Sequence, residues 1–224
     1  MKKFFFTVSM MFICLSILPA SAQKIGFGIK AGYNAATWDG NAMQNLNSLV
    51  QLSDGYADTE MRPGFHAGGY LQIPVTSGFS IEPGAYYSQK GMRINGEFSS
   101  EKLDFLNLKA TLTNKADYID VPLLAKVFVA DGLHLYGGPQ VSFLVSNKIN
   151  AKAGVLGFNV LDTDFNYDNP FRKTDFGLVG GVGYRFSNGL NLSAGYDYGL
   201  NTVDKNANFN TYNRVIKASV GFDF

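Results

Sequence analysis

The sequence has very little cysteine, histidine or tryptophan: its 224 residues contain one Cys, two His and one Trp. The single cysteine, Cys14, lies in an N-terminal segment that we expect to be removed, so the mature chain can form no disulfide. An exported chain without a disulfide framework must be stabilised by backbone pairing and side-chain packing.

An excess of charge of one sign is also missing. Lys and Arg number 19 against 18 Asp and Glu, and removal of the two charges of Lys2 and Lys3 changes the formal net charge from +1 to −1. This balance excludes the basic footprint by which nucleic-acid-binding proteins are identified. After Gln23, no stretch approaches the ~20 apolar residues of a transmembrane helix.

The N-terminus, "MKKFFFTVSMMFICLSILPASAQ", has the pattern of a secretory signal peptide. Lys2 and Lys3 precede an apolar segment from Phe4 to Leu18, and the segment ends in the small-residue motif Ala20-Ser21-Ala22. The apolar segment is short for a membrane anchor, which is the alternative interpretation. We expect residues 1–22 to be the signal and residues 23–224 to form one mature domain.

Glycine, phenylalanine and tyrosine are abundant, with 25 Gly, 19 Phe and 12 Tyr, which favours strands and tight turns. Eight segments of the mature chain show apolar and polar residues in alternation over about ten residues. They span Ile25–Ala36, Gly64–Val75, Phe79–Lys90, Asp117–Ala130, Leu133–Ser146, Lys173–Phe186, Leu190–Asn201 and Tyr212–Phe224.

The connections between these segments alternate in length. Three are tight turns in which glycine supplies the positive φ: residues 76–78 (TSG), 131–132 (DG) and 187–189 (SNG). Four are longer: Thr37–Pro63, Gly91–Ala116, Asn147–Arg172 and Thr202–Thr211. Short turns at one end and long loops at the other are typical of outer-membrane barrels. The pattern predicts an all-β fold, an eight-stranded antiparallel up-and-down transmembrane β-barrel.

The segment "YIDVPLLAKVFVADG" shows both faces of such a strand. One parity is wholly apolar, whereas the other carries Asp120 and Lys126. A soluble barrel would turn the charged face to water and a membrane barrel would turn it inward, so alternation alone fits both. Three features favour the membrane barrel: aromatic residues near strand ends (Tyr118 among them), glycine on the charged face, and a C-terminal aromatic strand.

The charges predicted to point inward balance, and an eight-stranded barrel is only wide enough for side chains to fill it. We therefore predict a neutral network of ion pairs inside the barrel, no sizeable pore and no enzymatic activity. The network comprises Lys30, Lys90, Lys126, Arg185 and Lys217 with Glu82, Asp120, Asp175, Asp197 and Asp223. An ion or small-solute channel is the alternative.

The order of several short motifs resembles the PorT-like small outer-membrane β-barrels of Bacteroidetes-type bacteria. They are GIKAGYN, GFHAGGYLQIPV, PGAYYSQKG, YIDVPLLAKV, GGPQVSFLVSNK, DFGLVGGVGYRF, AGYDYGLNTV and NRVIKASVGFDF. The resemblance implies an outer-membrane location in a Gram-negative bacterium and an eight-stranded barrel surrounded by lipid. Some members are linked to protein secretion. The resemblance does not imply one activity. We expect an accessory or structural role in which the long loops, especially Thr37–Pro63 and Asn147–Arg172, bind secretion or envelope proteins.

The last strand also resembles the signal read by the barrel-assembly machinery, a polar residue and a small residue followed by two aromatics. The corresponding residues are Lys217, Ser219, Phe222 and Phe224, with Ser219 where glycine is usual. The resemblance implies contact with that machinery during biogenesis.

Other motifs predict little chemistry, and we expect no cofactor and no metal. His66 with Asp58 or Glu60 is the candidate for a barrel enzyme, and His134 lies at the other end. Residues 162–170 (DTDFNYDNP) resemble half of a calcium loop, but they lack its turn glycine and bidentate glutamate. Residues 41–52 (NAMQNLNSLVQL) have the spacing of a short helix that caps the barrel or meets a partner.

Four prolines lie within predicted strands, where each removes a backbone hydrogen-bond donor. We expect bulges or strand ends at Pro74, Pro83, Pro122 and Pro139.

Overall fold

The computed structural model describes residues 25–40, 55–98, 108–155, 158–166, 171–205 and 210–224. The predicted signal peptide and the predicted helix over 41–52 lie outside these ranges. Within them, no helix is long and apolar enough to cross a membrane.

The described chain forms ten β-strands. They are β1 (Gly26–Gly40), β2 (Gly55–Glu60), β3 (Arg62–Thr76), β4 (Phe79–Phe98), β5 (Leu108–Phe128), β6 (Leu133–Val155), β7 (Phe158–Asn166), β8 (Thr174–Arg185), β9 (Leu190–Gly199) and β10 (Thr211–Asp223).

These strands close into an antiparallel ring. Each barrel strand pairs with its neighbours in the chain, and β10 pairs with β1 from Gly28↔Asp223 to Gly40↔Thr211. β2 and β3 are separated only by Met61 and both pair with β4, while β7 and β8 both pair with β6. Eight strand positions therefore surround the axis, which confirms the predicted fold class.

The three tight turns lie between the predicted strands, at β3–β4, β5–β6 and β8–β9. Gly132 and Gly189 have φ of 77° and 90°, the left-handed conformation that glycine adopts without strain. Both chain ends of the described barrel lie at the same end as these turns, because β1 begins and β10 ends there.

The prediction of long loops is wrong over much of their length, because many of these residues form β-strands. The segments 91–98, 108–116 and 147–155 continue β4, β5 and β6, and β2 and β7 extend the same sheet. A single row of pairs runs across its far edge through Gly55, Phe98, Leu108, Val155 and Phe158. We call these five strand segments the projecting sheet. Phe98 lies eight residues beyond Lys90, roughly 26 Å at ~3.3 Å per residue.

The two faces of the barrel differ as a membrane barrel requires. Phe27, Ile29 and Tyr33 of β1 point outward and are about half exposed, whereas Asn34 on the opposite parity is fully buried. The apolar side chains therefore cover the outside and the charged ones fill the interior, the arrangement of a barrel that contacts lipid. Tyr118 is an exception to the predicted aromatic belt, because it points inward and is 2% exposed.

Glycine on the inner face makes room for three tyrosine rings. The Tyr70 ring lies against Gly28, the Tyr86 ring against Gly84, and the Tyr136 ring against Gly181 and Gly195. The rings fill the turn-end half of the interior, where a Cβ atom at Gly28 or Gly181 would overlap them. This packing is the physical reason for glycine at these four positions of the charged face.

The four prolines are accommodated in two ways. The β3–β4 register shifts between Pro74 and Thr76, so the expected bulge occurs there. At the other three, the expected bulges and strand ends are wrong, because the strands continue with no shift of register. The β4–β5 and β5–β6 ladders instead skip two residue pairs beside Pro83, Pro122 and Pro139. These prolines lie at one level of adjacent strands, which confines the missing donors to one place.

Gly181→Val should destabilise the barrel, because the new side chain would overlap the Tyr136 ring and the Ala194 carbonyl. We expect a loss of about 1 to 3 kcal/mol in the free energy of unfolding, the usual range for overpacking. Gly180→Val is the matched control, since a Cβ there meets only the Tyr136 carbonyl oxygen, at 3.9 Å. Urea unfolding in lipid vesicles, followed by tryptophan fluorescence, measures both. Equal midpoints for the two variants would contradict the proposed ring packing.

Candidate functional site in the barrel interior

The middle of the interior holds two carboxylates and two lysines from four strands. Asp120 of β5 is 2.7 Å from Lys90 Nζ of β4 and 3.2 Å from Lys217 Nζ of β10. Lys217 Nζ is also 2.6 Å from Asp197 of β9, and Lys90 Nζ lies 4.0 Å from the same carboxylate. We call these four residues the central cluster, and its formal charges cancel.

Further hydrogen bonds hold the central cluster in place. Gln140 donates to Asp197 Oδ2 at 3.2 Å, and Lys90 donates to Ser142 Oγ at 3.0 Å. Asp120 is completely buried, so each of its ion pairs is shielded from water and salt.

A second group, the turn-end cluster, comprises Lys30, Glu82 and Lys126. Glu82 accepts from Lys126 and lies 3.3 Å from Lys30 Nζ. The surplus positive charge is accommodated by tyrosine rings, because Lys30 Nζ lies 4.8 Å from the centroid of Tyr70 and 5.7 Å from that of Tyr136. Aromatic faces attract cations in this geometry.

The remaining predicted network residues lie near the two ends. Arg185 Nε is 3.0 Å from Asp223 Oδ2, and Asp223 also accepts from the Tyr70 hydroxyl. Asp175 accepts from the Asn213 amide at 2.8 Å. The structure therefore brings nine of the ten predicted residues into ion pairs in three groups, and it gives Asp175 a neutral partner.

Little space remains between these side chains. A cavity of about 40 Å³ lies beside the central cluster and is lined by residues that include His66, Tyr136 and Lys217. A cavity of this size holds one or two water molecules.

His66 has partners that its sequence environment did not reveal. Its Nδ1 lies 2.6 Å from Asn34 Oδ1, and its Nε2 lies 2.9 Å from Ser219 Oγ. Asn34 donates its amide protons to Ser88 Oγ and the Gln89 carbonyl, so its oxygen faces the histidine. Nδ1 therefore donates to Asn34, and Nε2 accepts from the Ser219 hydroxyl.

The candidate enzyme pair of His66 with Glu60 does not form, because both His66 ring nitrogens are occupied and Glu60 Oε2 lies 3.7 Å from Arg93 Nη1. Asp58 lies in β2, where it pairs with Asn95. His134 Nδ1 donates to the Gly132 carbonyl, 3.2 Å away, and the His134 ring lies tilted against Phe128 with the centroids 5.3 Å apart.

The order Ser219–His66–Asn34 resembles the donor and acceptor chain of a serine hydrolase. Acyl transfer also needs room for an ester and donors aimed at an oxyanion. The adjacent cavity admits only water, and the backbone amides of these strands are used in the ladders. These hydrogen bonds instead link β1, β3 and β10 across the seam where the ring closes.

The half calcium loop is also replaced by regular structure. Asp162 and Asp164 lie in β7 and pair with Lys152 and Asn150 of β6, and Tyr167 and Asp168 lie outside the described residues. In the described part of the chain, no group of three or more His, Cys, Asp and Glu side chains is placed to hold a metal ion.

Asp120→Asn should be strongly destabilising, because Lys90 and Lys217 would then share a single carboxylate, Asp197, and one positive charge in the interior would be uncompensated. We expect a loss of about 3 to 5 kcal/mol in the free energy of unfolding, as for other broken buried pairs. The control is Glu60→Gln, which breaks the solvent-exposed ion pair between Glu60 and Arg93. It should change the free energy of unfolding by less than about 1 kcal/mol. Adding Lys217→Met to Asp120→Asn should recover part of the loss. Additive effects of the two substitutions in denaturant titrations would contradict the coupling.

Ser219 should not react with a fluorophosphonate probe in the folded protein, since the probe is far larger than the adjacent cavity. The measurement is in-gel fluorescence of the folded barrel, with Ser219→Ala as the control variant. Labelling that is lost in Ser219→Ala would show that the serine is an accessible nucleophile.

Three solved structures align with most of this chain at low sequence identity. Ail of Yersinia pestis is 12% identical and has a TM-score of 0.46, with 90% of this chain and 100% of that chain covered. Neisserial surface protein A is 14% identical with a TM-score of 0.43, over 90% of this chain and 100% of the other. OprG of Pseudomonas aeruginosa is 12% identical with a TM-score of 0.39, over 89% and 95%.

A search of curated proteins found no match. A protein-family model does match the sequence, and it covers residues 21–205, most of the chain and nearly all of the barrel strands. The chain belongs to the outer membrane protein beta-barrel domain family, and its place is the outer membrane of a Gram-negative bacterium.

Proposed function

We propose that this protein is an accessory or structural component of the outer membrane that binds another envelope protein through the projecting sheet. The single observation that carries the proposal is the continuation of the barrel wall as paired backbone well beyond the end of the interior clusters. The interior itself supports no transport role, because its charges pair with each other.

The filled interior argues against passage of solutes. The central cluster crosses the lumen from β4 and β5 to β9 and β10, and three tyrosine rings fill the turn-end half. The cavity of about 40 Å³ between them is far smaller than a hydrated solute path. The small-solute channel predicted as the alternative has no support from these contacts.

The projecting sheet offers backbone edges to a partner. In the described part of the chain, β7 pairs only with β6, and β2 pairs only with β4. The other edge of each strand carries peptide groups outside any described ladder, nine residues long in β7 and six in β2. An extended peptide can add to such an edge as a further strand, with backbone hydrogen bonds supplying affinity.

The position of the sheet determines which partners it can meet. The tight turns lie at the opposite end, and short turns face the periplasm in bacterial barrels. The projecting sheet is therefore on the outer side of the membrane. We infer that the partner is a surface-exposed or secreted protein with an extended segment.

The resemblance to PorT-like barrels supports a more specific form of this proposal, a role in protein secretion. It also supports the proposal that the last strand is read by the barrel-assembly machinery. In the folded barrel, Phe222 and Phe224 point outward, whereas Lys217 and Ser219 are engaged inside. Recognition of all four residues would therefore precede closure of the ring.

A photoreactive phenylalanine analogue at Thr163, on the outer strand β7, should crosslink a discrete partner in native outer membranes. The same analogue at Thr111 is the matched control, because β5 is flanked by β4 and β6 and has no free edge. Replacing residues 153–161 by Asn-Gly joins Lys152 to its pair Asp162 and leaves five of the nine residues of the β7 edge, so it should weaken the Thr163 adduct without unfolding the barrel. Mass spectrometry of the adduct identifies the partner.

Equal crosslinking from Thr111 and Thr163 would contradict edge binding and point to the sheet face. Absence of any adduct, together with a stable conductance of the purified protein in a planar bilayer, would instead favour the channel.

A further inference from the structure

A groove of about 440 Å³ lies on the outer face of the barrel at the loop end. It follows β1, where the small side chains of Ala35 and Thr37 form the floor of the groove between larger side chains. Ile216 and Tyr196 border it on the β10 side, and Met61 borders it on the β2 side. The groove is thus apolar at its lower end and polar where Thr37 gives way to Asp39.

An arginine borders the polar end of this groove. Arg214 has the outward parity of β10, yet it is only 8% exposed, whereas Ile216 on the same face is 47% exposed. Its guanidinium carbon lies 3.8 Å from the centroid of the Tyr198 ring and 5.5 Å from that of Tyr212. The two rings fix the position of the guanidinium at the barrel surface, so the side chain does not extend into solvent.

The hydrogen bonds of Arg214 leave part of its fork for a ligand. Nη1 donates to the carbonyls of Gly199 and Asn213, each at 2.9 Å, which fixes the orientation of the plane. Nη2 lies 3.5 Å from Asp39 Oδ2, longer than the ~2.8 Å of a charge-assisted hydrogen bond. The Asp39 side chain is 64% exposed, so this ion pair is loose and an anion with better geometry can displace it.

The groove lies at the height of lipid headgroups. Phe27 stacks on Phe224 at the turn end of the barrel, and Ala35 and Asp39 follow Phe27 by eight and twelve residues along β1. At ~3.3 Å per residue and a tilt of ~40°, these positions are roughly 20 and 30 Å above Phe27. An apolar band of ~25 Å that begins at the level of Phe27 therefore ends between Ala35 and Asp39, within the groove. Its apolar end faces acyl chains and its polar end faces headgroups.

We propose that this groove is a specific site for a phosphorylated glycolipid of the outer leaflet. The phosphate binds Arg214, and an acyl chain follows the floor past Ala35 toward the exposed alanines Ala31 and Ala218. Arginine favours phosphate because its planar fork donates two parallel hydrogen bonds. The graded polarity and the single buried cation select an amphiphile with an anionic head, which a peptide or a second barrel does not match.

Binding of diphosphoryl lipid A to the intact protein in detergent micelles tests the proposal by native mass spectrometry. We expect the phosphorylated lipid to bind about tenfold more tightly than the same lipid with its phosphates removed, and Arg214→Gln to abolish the difference. Arg214→Lys should keep part of it, because the charge remains while the fork is lost. Asp39→Asn should tighten binding, since the competing carboxylate is gone.

Arg93→Gln is the matched control, because Arg93 is another arginine paired with a carboxylate on the loop side but lies outside the groove. Ala35→Trp fills the floor without changing charge and should weaken binding as Arg214→Gln does. Heat-dependent gel mobility verifies that every variant is folded.

Equal affinity for the two lipids, or unchanged binding by both Arg214→Gln and Ala35→Trp, would overturn the proposal. Weaker binding by Asp39→Asn would overturn the direct contact between Arg214 and phosphate. A lipid-free dimer that both groove variants disrupt would assign the groove to a second copy of the chain instead.

Discussion

The pairing of β1 with β10 is the interaction on which the rest of this structure depends. Lipid offers no hydrogen-bond partners, so a sheet can span a membrane only if its first and last strands pair and leave no edge. Here the closing ladder runs from Gly28↔Asp223 to Gly40↔Thr211. Side chains support the same seam, because the hydrogen-bonded chain of Asn34, His66 and Ser219 links β1, β3 and β10.

Closure with eight strands makes the interior narrow, and the narrow interior in turn dictates its chemistry. Charges cannot remain hydrated in so little space, so each must find a partner or a polarisable neighbour. Asp120 lies between two lysines, and Lys30 shares Glu82 with Lys126 among tyrosine rings. These contacts consume the groups that would otherwise bind a solute or perform catalysis, including the serine beside His66.

Both surfaces to which we assign a function therefore lie on the outside of the barrel. The wall continues as the projecting sheet, whose outer strands β2 and β7 present backbone edges, and the lipid-facing surface carries the groove beside Arg214. The two features lie near the same end of the barrel, since Met61 follows β2 and borders the groove. A bound glycolipid would therefore lie beside the base of the projecting sheet.

Alternation along the chain was sufficient to locate eight strands, their tight turns and the face that carries each charge. This worked because side chains in a strand point to opposite sides with a period of two, and lipid tolerates only apolar residues. The same signal failed above the membrane, where β4, β5 and β6 continue with no lipid to enforce alternation. It also assigned Tyr118 to the aromatic belt, although Tyr118 lies inside the barrel. Only the tertiary structure decided which charges pair, that Asp175 takes a neutral partner, and that Asn34, His66, Ser219 and the groove residues of β1, β9 and β10 meet. Those contacts join distant positions, as in Asp39 with Arg214, which are 175 residues apart, and they depend on the register of closure, which local sequence patterns do not contain.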